Sequence, residues 1–580
     1  MTTPPAAPAR PRGVLDWIEW AGNKLPDPAL LFVLLAAIAV VLSAIGAAMG
    51  WSVQPVKPQL IEAVAGGAPQ VTLLPAGDPI TPRSLLTVDG IYWMASSALR
   101  NFALMPALPL IFVAMLGIGL AEKLGFFGAL MRSLALMTPR KLLTPAVVFL
   151  GANSSVASDA GYIILPPLAA ALFMASGRHP VAGLAAAFCG VAGGFGGGLF
   201  PTGGDGVLTG FAQDAARVID PAYTVDILHN YYFKVASAVV VTLAGWFVTD
   251  AIIEPRLRRL HADEMQGGGT EAMQQMALDP VERRGLRMAL LGMAAVLATF
   301  FALVLVPGAP LHGIGKPTLP NGRVMTTQEI TVLPANAPTA PDAVVISKDP
   351  LTVVAEGTPR LAESPGPRWA QVIVPLIFLL FLVPGAIYGR ITGQLRNQAD
   401  FVDAMAHGIR SIVPVLVILF FLAQFVGVMG YSGLDRMLAY AGGSALFEAS
   451  LPIPLLIVLF VLVVVFGDFA MSGMLSKFGV LAPIFIPMFM IVGMSPELTT
   501  AAYRIGDSVV NIVTPLNSYL LIILAVFQKY RKNAGLGTLI ALMLPYSVVL
   551  GIVWTLLLVA WYATGLPLGP GARLGFMPGG

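Results

Sequence analysis

Three polar clusters sit inside stretches apolar enough to lie in a membrane. The first is YRIGDSVVNIVTPLNS, Tyr503 to Ser518, with Arg504, Asp507, Asn511, Thr514 and Pro515. The second, GANSSVASDAGYIILPP, places Asn153, Ser154, Ser155, Ser158 and Asp159 in close succession. The third, FGDFAMSGMLSKFGVLAP, carries Asp468, Ser472, Ser476, Lys477 and Phe478. An ionisable side chain near a bilayer centre costs roughly 2.5 to 3.5 kcal/mol and persists mainly where it lines a pathway for a solute or ion. The chemistry on offer is therefore transport. Arg504 can attract an anionic group, Asp159 and Asp507 can take a proton or neutralise a cation, and the hydroxyls and freed carbonyls around Asn153 to Ser158 can coordinate one. Asn511 and Thr514 offer neutral contacts.

Each cluster also has a plainer reading. Arg504 and Asp507, three residues apart on one helix face with Asn511 four further on, can form a structural ion pair. Asp159 and Asp468 can cap the helix that follows each of them, and serines can pack two helical legs closely. Lys477 can snorkel to water and Phe478 can be ordinary packing.

The elements that position these clusters follow from hydropathy. Uncharged runs near 29–51, 104–121, 181–200, 235–249, 288–307, 370–389, 411–430 and 544–565 are long enough to span a bilayer or extensible to it, and the stretch from Tyr503 to about Phe527 supplies a ninth. Two further apolar regions, about 144–176 and 453–494, are interrupted in the middle by Pro, Gly and small polar residues and read as helical hairpins. Such breaks survive at membrane depth only where protein or a water-filled cavity satisfies the freed backbone. Pro515 removes a backbone donor and disfavours helix at Thr514, so the helix should break beside its charges.

The composition agrees. Of 580 residues, 57% are hydrophobic and 11% charged, against roughly 25% charged in a soluble domain. The net charge of +3 carries no nucleic-acid patch. A single cysteine, Cys189, excludes an intrachain disulfide framework, and the five histidines have no metal-ligand spacing. The chain reads as an all-α polytopic membrane domain from 29 to 580 behind a cytoplasmic segment, 1–28, that is too polar for a signal-peptide core. Arg10, Arg12 and Lys24, then Lys123, Arg132, Arg140 and Lys141, then Arg256, Arg258 and Arg259, and finally Lys529, Arg531 and Lys532 fall on one side. The positive-inside rule makes that side, and the N-terminus, cytoplasmic. Loops 52–90, 201–233 and 308–368 then face outward. The hairpins enter from opposite faces, which implies an inverted repeat. Each precedes a span with a weak point, GGFGGGLFPTGGD and RIGDSVVNIVTPLNS, a pattern that points to a secondary-transporter site near the midplane.

With these residues laid out, the chain resembles the AbgT family of p-aminobenzoyl-glutamate transporters, within a broader ion-transporter group. The resemblance spans nearly the whole sequence. It is carried by WIEWAGNKLPDPALLF at 17–32, RKLLTPAVVFLGANSSVASDAGYIILPPLAAALF at 140–173, APIFIPMFM at 482–490 and AAYRIGDSVVNIVTP at 501–515. It implies a bowl-shaped homodimer in the bacterial inner membrane, with nine helices and two hairpins per protomer. It also implies transport of p-aminobenzoyl-glutamate or export of sulfonamide antimetabolites, coupled to protons or sodium, with no further cofactor. Asp159, Arg504, Asp507, Pro515 and Pro496 match family site positions. Phe478 stands where the family usually has Trp, Asp468 where it has Asn, and Gly196 and Gly198 where it has Ser and Asn.

The leading expectation is thus an ion-coupled carrier of an anionic aromatic small molecule, not an enzyme. The alternative within transport is an importer of dicarboxylates or short-chain acids. An intramembrane aspartyl protease built on Asp159 and Asp507 is disfavoured, because Arg504 occupies the first position of the GxGD pattern. A channel would need neither opposed hairpins nor a midplane arginine.

Overall fold

The structure is a computed structural model that describes residues 28–576 apart from 62–69, 76, 106, 158–159, 221–222, 261–276, 316–365, 370–371, 470, 472, 518 and 533. It is helical nearly throughout, as hydropathy requires. Among the described residues eight helices are long and apolar enough to cross a membrane, or nine if Phe126–Leu136 and Arg140–Asn153, bent by 116°, count as one span.

The chain opens with α1 (Pro28–Met49), followed by a small antiparallel ribbon of β1 (Val56–Ile61) and β2 (Gln70–Pro75). Then come α2 (Val88–Ala103), α3 (Ala107–Lys123) and α4 (Phe126–Leu136). The first expected hairpin is α5 (Leu143–Asn153), a tight 3-10 turn and α6 (Ala160–Ala175). After it, α7 (Pro180–Phe188) ends in a π turn at Cys189–Gly193, and α8 (Gly203–Arg217) follows. Next are α9 (Tyr231–Phe247), α10 (Glu254–Leu260), α11 (Pro280–Leu305), α12 (Ile373–Ile391), α13 (Gln398–Ser432) and α14 (Leu434–Glu448). The second expected hairpin is α15 (Ile453–Asp468) with α16 (Met474–Ile491). The chain closes with α17 (Pro496–Val510), α18 (Leu520–Gln528) and α19 (Leu536–Thr564).

Outer helices turn large apolar side chains outward. On α1, Leu30, Leu34, Ile38 and Val41 are exposed while Phe32 and Ala39 face inward; on α11, Leu291, Phe301 and Leu305 are bare. In water such a belt would be an aggregation liability, whereas in a bilayer it faces its natural solvent. The inner elements are the reverse. Every residue of α7 and of α17 is buried.

For α17 that burial is informative, because TTAAYRIGDS is not an apolar sequence. The helix satisfies its hydroxyls locally: Thr499 donates to the Ser495 carbonyl at 3.0 Å and Thr500 to that of Pro496 at 2.8 Å. Ser495 caps its start by accepting from the Leu498 N–H at 3.1 Å, with Pro496 at the first turn where a missing N–H is harmless. The expected break is present. Helix stops at Val510 and resumes at Leu520, and Asn517 donates to the freed Asn511 carbonyl at 2.8 Å.

One expectation needs correction. Residues 201–233 are not simply an outward loop, because they contain α8, buried on most of its surface and packed on α3, α16 and α17. The spans expected at 181–200 and 503–527 are interrupted near the weak points expected of them, α7 giving way to the π turn at Cys189–Gly193 and α17 ending at Val510. The loop expected at 308–368 lies largely outside the described residues.

The base of the first hairpin is clamped by charge. Arg178, just beyond α6, donates to Glu254 at 2.5 Å, to Asp250 at 2.5 Å and to the Thr144 hydroxyl at 2.6 Å, joining both hairpin ends to the helix after α9. Burial works against its charge, but these carboxylates more than offset it and raise its pKa.

Candidate functional site

The helix α17 delivers its two charges to different partners. Arg504 Nη2 lies 2.7 Å from Asp205 Oδ1 on α8. The other Asp205 oxygen takes Lys234 Nζ from α9 at 2.6 Å, and Lys234 also donates to the Phe200 carbonyl at 2.9 Å. Asp507 Oδ1 instead lies 2.7 Å from Lys477 Nζ on α16. Lys477 is paired in turn with Asp468, the last residue of α15. An Arg504–Asp507 pair is therefore not what α17 is built around.

These ions are deeply buried: Asp468 and Lys477 are 0% exposed, Asp507 1%, Asp205 and Lys234 3%, and Arg504 5%. Taking such groups from water costs several kcal/mol each, recovered only where partners and hydrogen bonds are well placed. They are supplied here. Asp205 accepts from the Thr202 N–H at 2.6 Å and hydroxyl at 2.9 Å, in a capping box that starts α8. Asn511 donates to Asp507 Oδ2 at 3.3 Å, and the Tyr503 hydroxyl lies 3.4 Å from Oδ1 while donating to the Met474 carbonyl at 2.5 Å. His229, in the loop before α9, holds its Nδ1 2.7 Å from the Asp226 carbonyl, and burial first and Arg504 second depress its pKa to about 3.

An aromatic wall adjoins the second centre. Phe478, next to Lys477, has its ring centroid 4.5 Å from Tyr503 and 6.2 Å from Phe211. The glycine-rich segment after α7 seals the other flank. A Cβ at Gly196 would stand 2.6 Å from Ser508 Oγ and 2.9 Å from the Arg504 carbonyl, and the Gly196 N–H donates to Ser508 at 2.8 Å. Gly198 sits at φ +153° with Lys234 and Asn153 beside it.

The chain as a whole has relatives among known proteins. A model of the "AbgT putative transporter family" matches residues 13–327 and 344–576. The chain belongs to the AbgT family. It is 33% identical over 556 residues to the p-aminobenzoyl-glutamate transport protein of Escherichia coli (strain K12), covering 96% of each. Its fold is similar to the crystal structure of the Alcanivorax borkumensis YdaH transporter, with a TM-score of 0.76, 33% identity and coverage of 94% of this chain and 100% of that one. It is similar also to Neisseria gonorrhoeae MtrF, described as illuminating a class of antimetabolite efflux pumps, with a TM-score of 0.77, 37% identity and coverage of 96% and 100%. The family's members are membrane transporters, so the protein is a transporter and not an enzyme.

Within this AbgT-family chain the sequence-chosen residues fall into groups. Arg504, Asp507, Asn511, Asp468, Lys477 and Phe478 come together around α17. Thr514 joins them, its hydroxyl 3.4 Å from the Asp468 carbonyl, and Ser476 is buried beside Lys477. Lys477 does not snorkel. Pro496 opens α17 and Pro515 sits in its break, so both shape the helix. In the first hairpin Asn153 accepts from the Leu199 N–H at 2.7 Å, while Ser154 and Ser155 donate to the carbonyls of Gly151 and Ala152 at 2.7 and 3.4 Å. Ser158, Asp159 and Ser472 lie outside the described residues. Sequence reading missed Asp205 and Lys234. The signals were a T-x-x-D capping box opening α8 and a lysine embedded in YYFKVASAVVV.

Proposed function

We propose that this transporter is a secondary carrier of amphipathic aromatic carboxylates, of which p-aminobenzoyl-glutamate is the model, or an exporter of related antimetabolites, driven by a proton or sodium gradient. The observation that carries the reading is the buried charge network with its aromatic wall. Arg504 and Lys477 are cations that an anion can engage, and Phe478 with Tyr503 offers a ring surface beside Lys477. The names of the relatives point to the same substrate class.

The acids supply the coupling. Asp507 and Asp159 are the residues through which a proton or cation is exchanged, and the hairpin tips, entering from opposite faces, open alternately to the two sides. The protein resides in the bacterial inner membrane as a homodimer with its N-terminus in the cytoplasm. Flux in proteoliposomes under imposed pH and sodium gradients of either sign tests this. Saturable movement of p-aminobenzoyl-glutamate that collapses with an ionophore is the expected result. Absence of aromatic flux under every gradient, with dicarboxylates carried instead, would replace it with the short-chain-acid reading.

A further inference from the structure

Apart from Glu497, buried at the start of α17 and bonded by the Tyr223 hydroxyl, the paired charges along α17 are Asp205, Asp468 and Asp507 set against Lys234, Lys477 and Arg504. They are distributed unevenly. Asp205 is shared by two cations, and Lys477 is shared by two acids. p-Aminobenzoyl-glutamate and succinate each bring two carboxylates into this set, and an unpaired buried anion is strongly unfavourable. Protonating one acid of this set frees its cation for one of those carboxylates.

Asp468 is the acid least committed to staying ionised. Asp205 holds two cations and the Thr202 cap, and Asp507 has Asn511 and Tyr503 besides Lys477. Among the described residues the Asp468 carboxylate has Lys477 alone. It also ends α15, where the negative end of the helix dipole disfavours a carboxylate. The elements packed chiefly on α15 are α16, α17 and α19. They present Lys477 from α16, then Glu497, Tyr503, Arg504 and Asp507 from α17. From α19 come only the phenols of Tyr546 and Tyr562.

We propose that Asp468 is a built-in carboxylate occupying Lys477 in the empty transporter, and that an anionic substrate takes over Lys477 as Asp468 becomes protonated. The inference rests on the anion-carrier reading above. An O–H bond forms at an Asp468 oxygen with a proton from water on whichever side the site faces, and that proton returns to water when the substrate leaves. No other bond changes, and the proton on Asp468 offsets the one substrate carboxylate that Lys477 receives.

The test is calorimetric binding of p-aminobenzoyl-glutamate and of succinate to the full chain in detergent, between about pH 5 and about pH 8. Paired buffers of different ionisation enthalpy give the protons taken up per ligand. Wild type is expected to take up one proton more than Asp468→Asn, and the variant to bind more tightly at the alkaline end with about tenfold less dependence per pH unit. Asp468→Ala gives the same comparison if the amide does not fold. Equal proton uptake in wild type and variant, or none in wild type alone, overturns the proposal. If p-aminobenzoyl-glutamate binds without that difference, the substrate reading stands and this inference falls. If only succinate binds, with the difference present, the inference stands and the aromatic reading falls. If neither anion binds wild type, both fall.

Discussion

Arg504 and Asp507 lie about one turn apart on α17, yet each is neutralised from a different direction, and the consequences of removing any one charge depend on what its partners keep. Losing Lys234 leaves Asp205 still paired with Arg504, whereas losing Asp205 leaves both Lys234 and Arg504 buried without an acid. Asp205→Asn is therefore expected to destabilise by about 3 to 5 kcal/mol and Lys234→Met by distinctly less, compared by thermal unfolding in detergent. Equal losses would mean that the two pairs are energetically separate. Asp507→Ala is a different case, since Lys477 retains Asp468. The variant should fold and elute as wild type while gradient-driven flux falls to background; wild-type flux would remove Asp507 from the coupling step. At this scale the sequence was legible where charges interrupt apolar runs, as Asp468 and Lys477 do in the third cluster. Arg504 and Asp507 stood out because they interrupt an apolar run. Asp205 and Lys234 flank such runs, where a charge ordinarily meets water, and only tertiary folding brings them inside.

Elements are held together where backbones touch. The first hairpin crosses the end of α7 at two glycines, so a Cβ on Gly151 would stand 2.7 Å from Gly190 Cα, and one on Gly190 would stand 2.4 Å from the Val148 carbonyl. These are main-chain obstacles that no rotamer change relieves. Gly190→Ala should therefore cost about 1 to 3 kcal/mol and lower flux by displacing α5 from the π turn, measurable as a reduced melting midpoint alongside uptake. A neutral Gly190→Ala would show that the crossing is looser than its geometry. The interruptions within 144–176 and 453–494 and the break after α17 could be read from sequence, because Pro515 and clustered small residues interrupt apolar runs regardless of what surrounds them. Helix α8 could not. Its GGDGVLTGFAQDAAR pattern looks like a polar connection, and it is buried only because Asp205 finds Arg504 and Lys234, and Gln213 binds the Tyr223 carbonyl and the Val225 N–H in the loop behind it.

Across the whole molecule, the segment after α19 ties together elements that flank the site. The helix ends at Gly565 in a left-handed conformation, φ +71°, which turns the chain back over the bundle. The Leu568 carbonyl then accepts from the Phe233 N–H at 3.0 Å, the Arg573 carbonyl from the Ser495 hydroxyl at 2.6 Å, and the Gly493 carbonyl from the Phe576 N–H at 2.9 Å. Phe576 meets Tyr223 edge-on at 5.8 Å, and Tyr223 donates to Glu497 at 2.8 Å. This strap thus joins the start of α9, which carries Lys234, to the link between α16 and α17, which carry Lys477, Arg504 and Asp507. Ending the chain at Thr564 would expose the seats of Leu568 and Phe576, both nearly fully buried, and leave Ser495, Gly493 and Phe233 without these bonds. Burying such side chains is worth roughly 1.5 to 3 kcal/mol each, so the truncated protein should lose several kcal/mol. Ser495→Ala removes one strap bond and the α17 cap and should lose only about 1 kcal/mol. Thermal unfolding of both variants in detergent decides the ranking. A truncation no worse than Ser495→Ala would mean that the two ends of the site are held by the helices alone, without the strap.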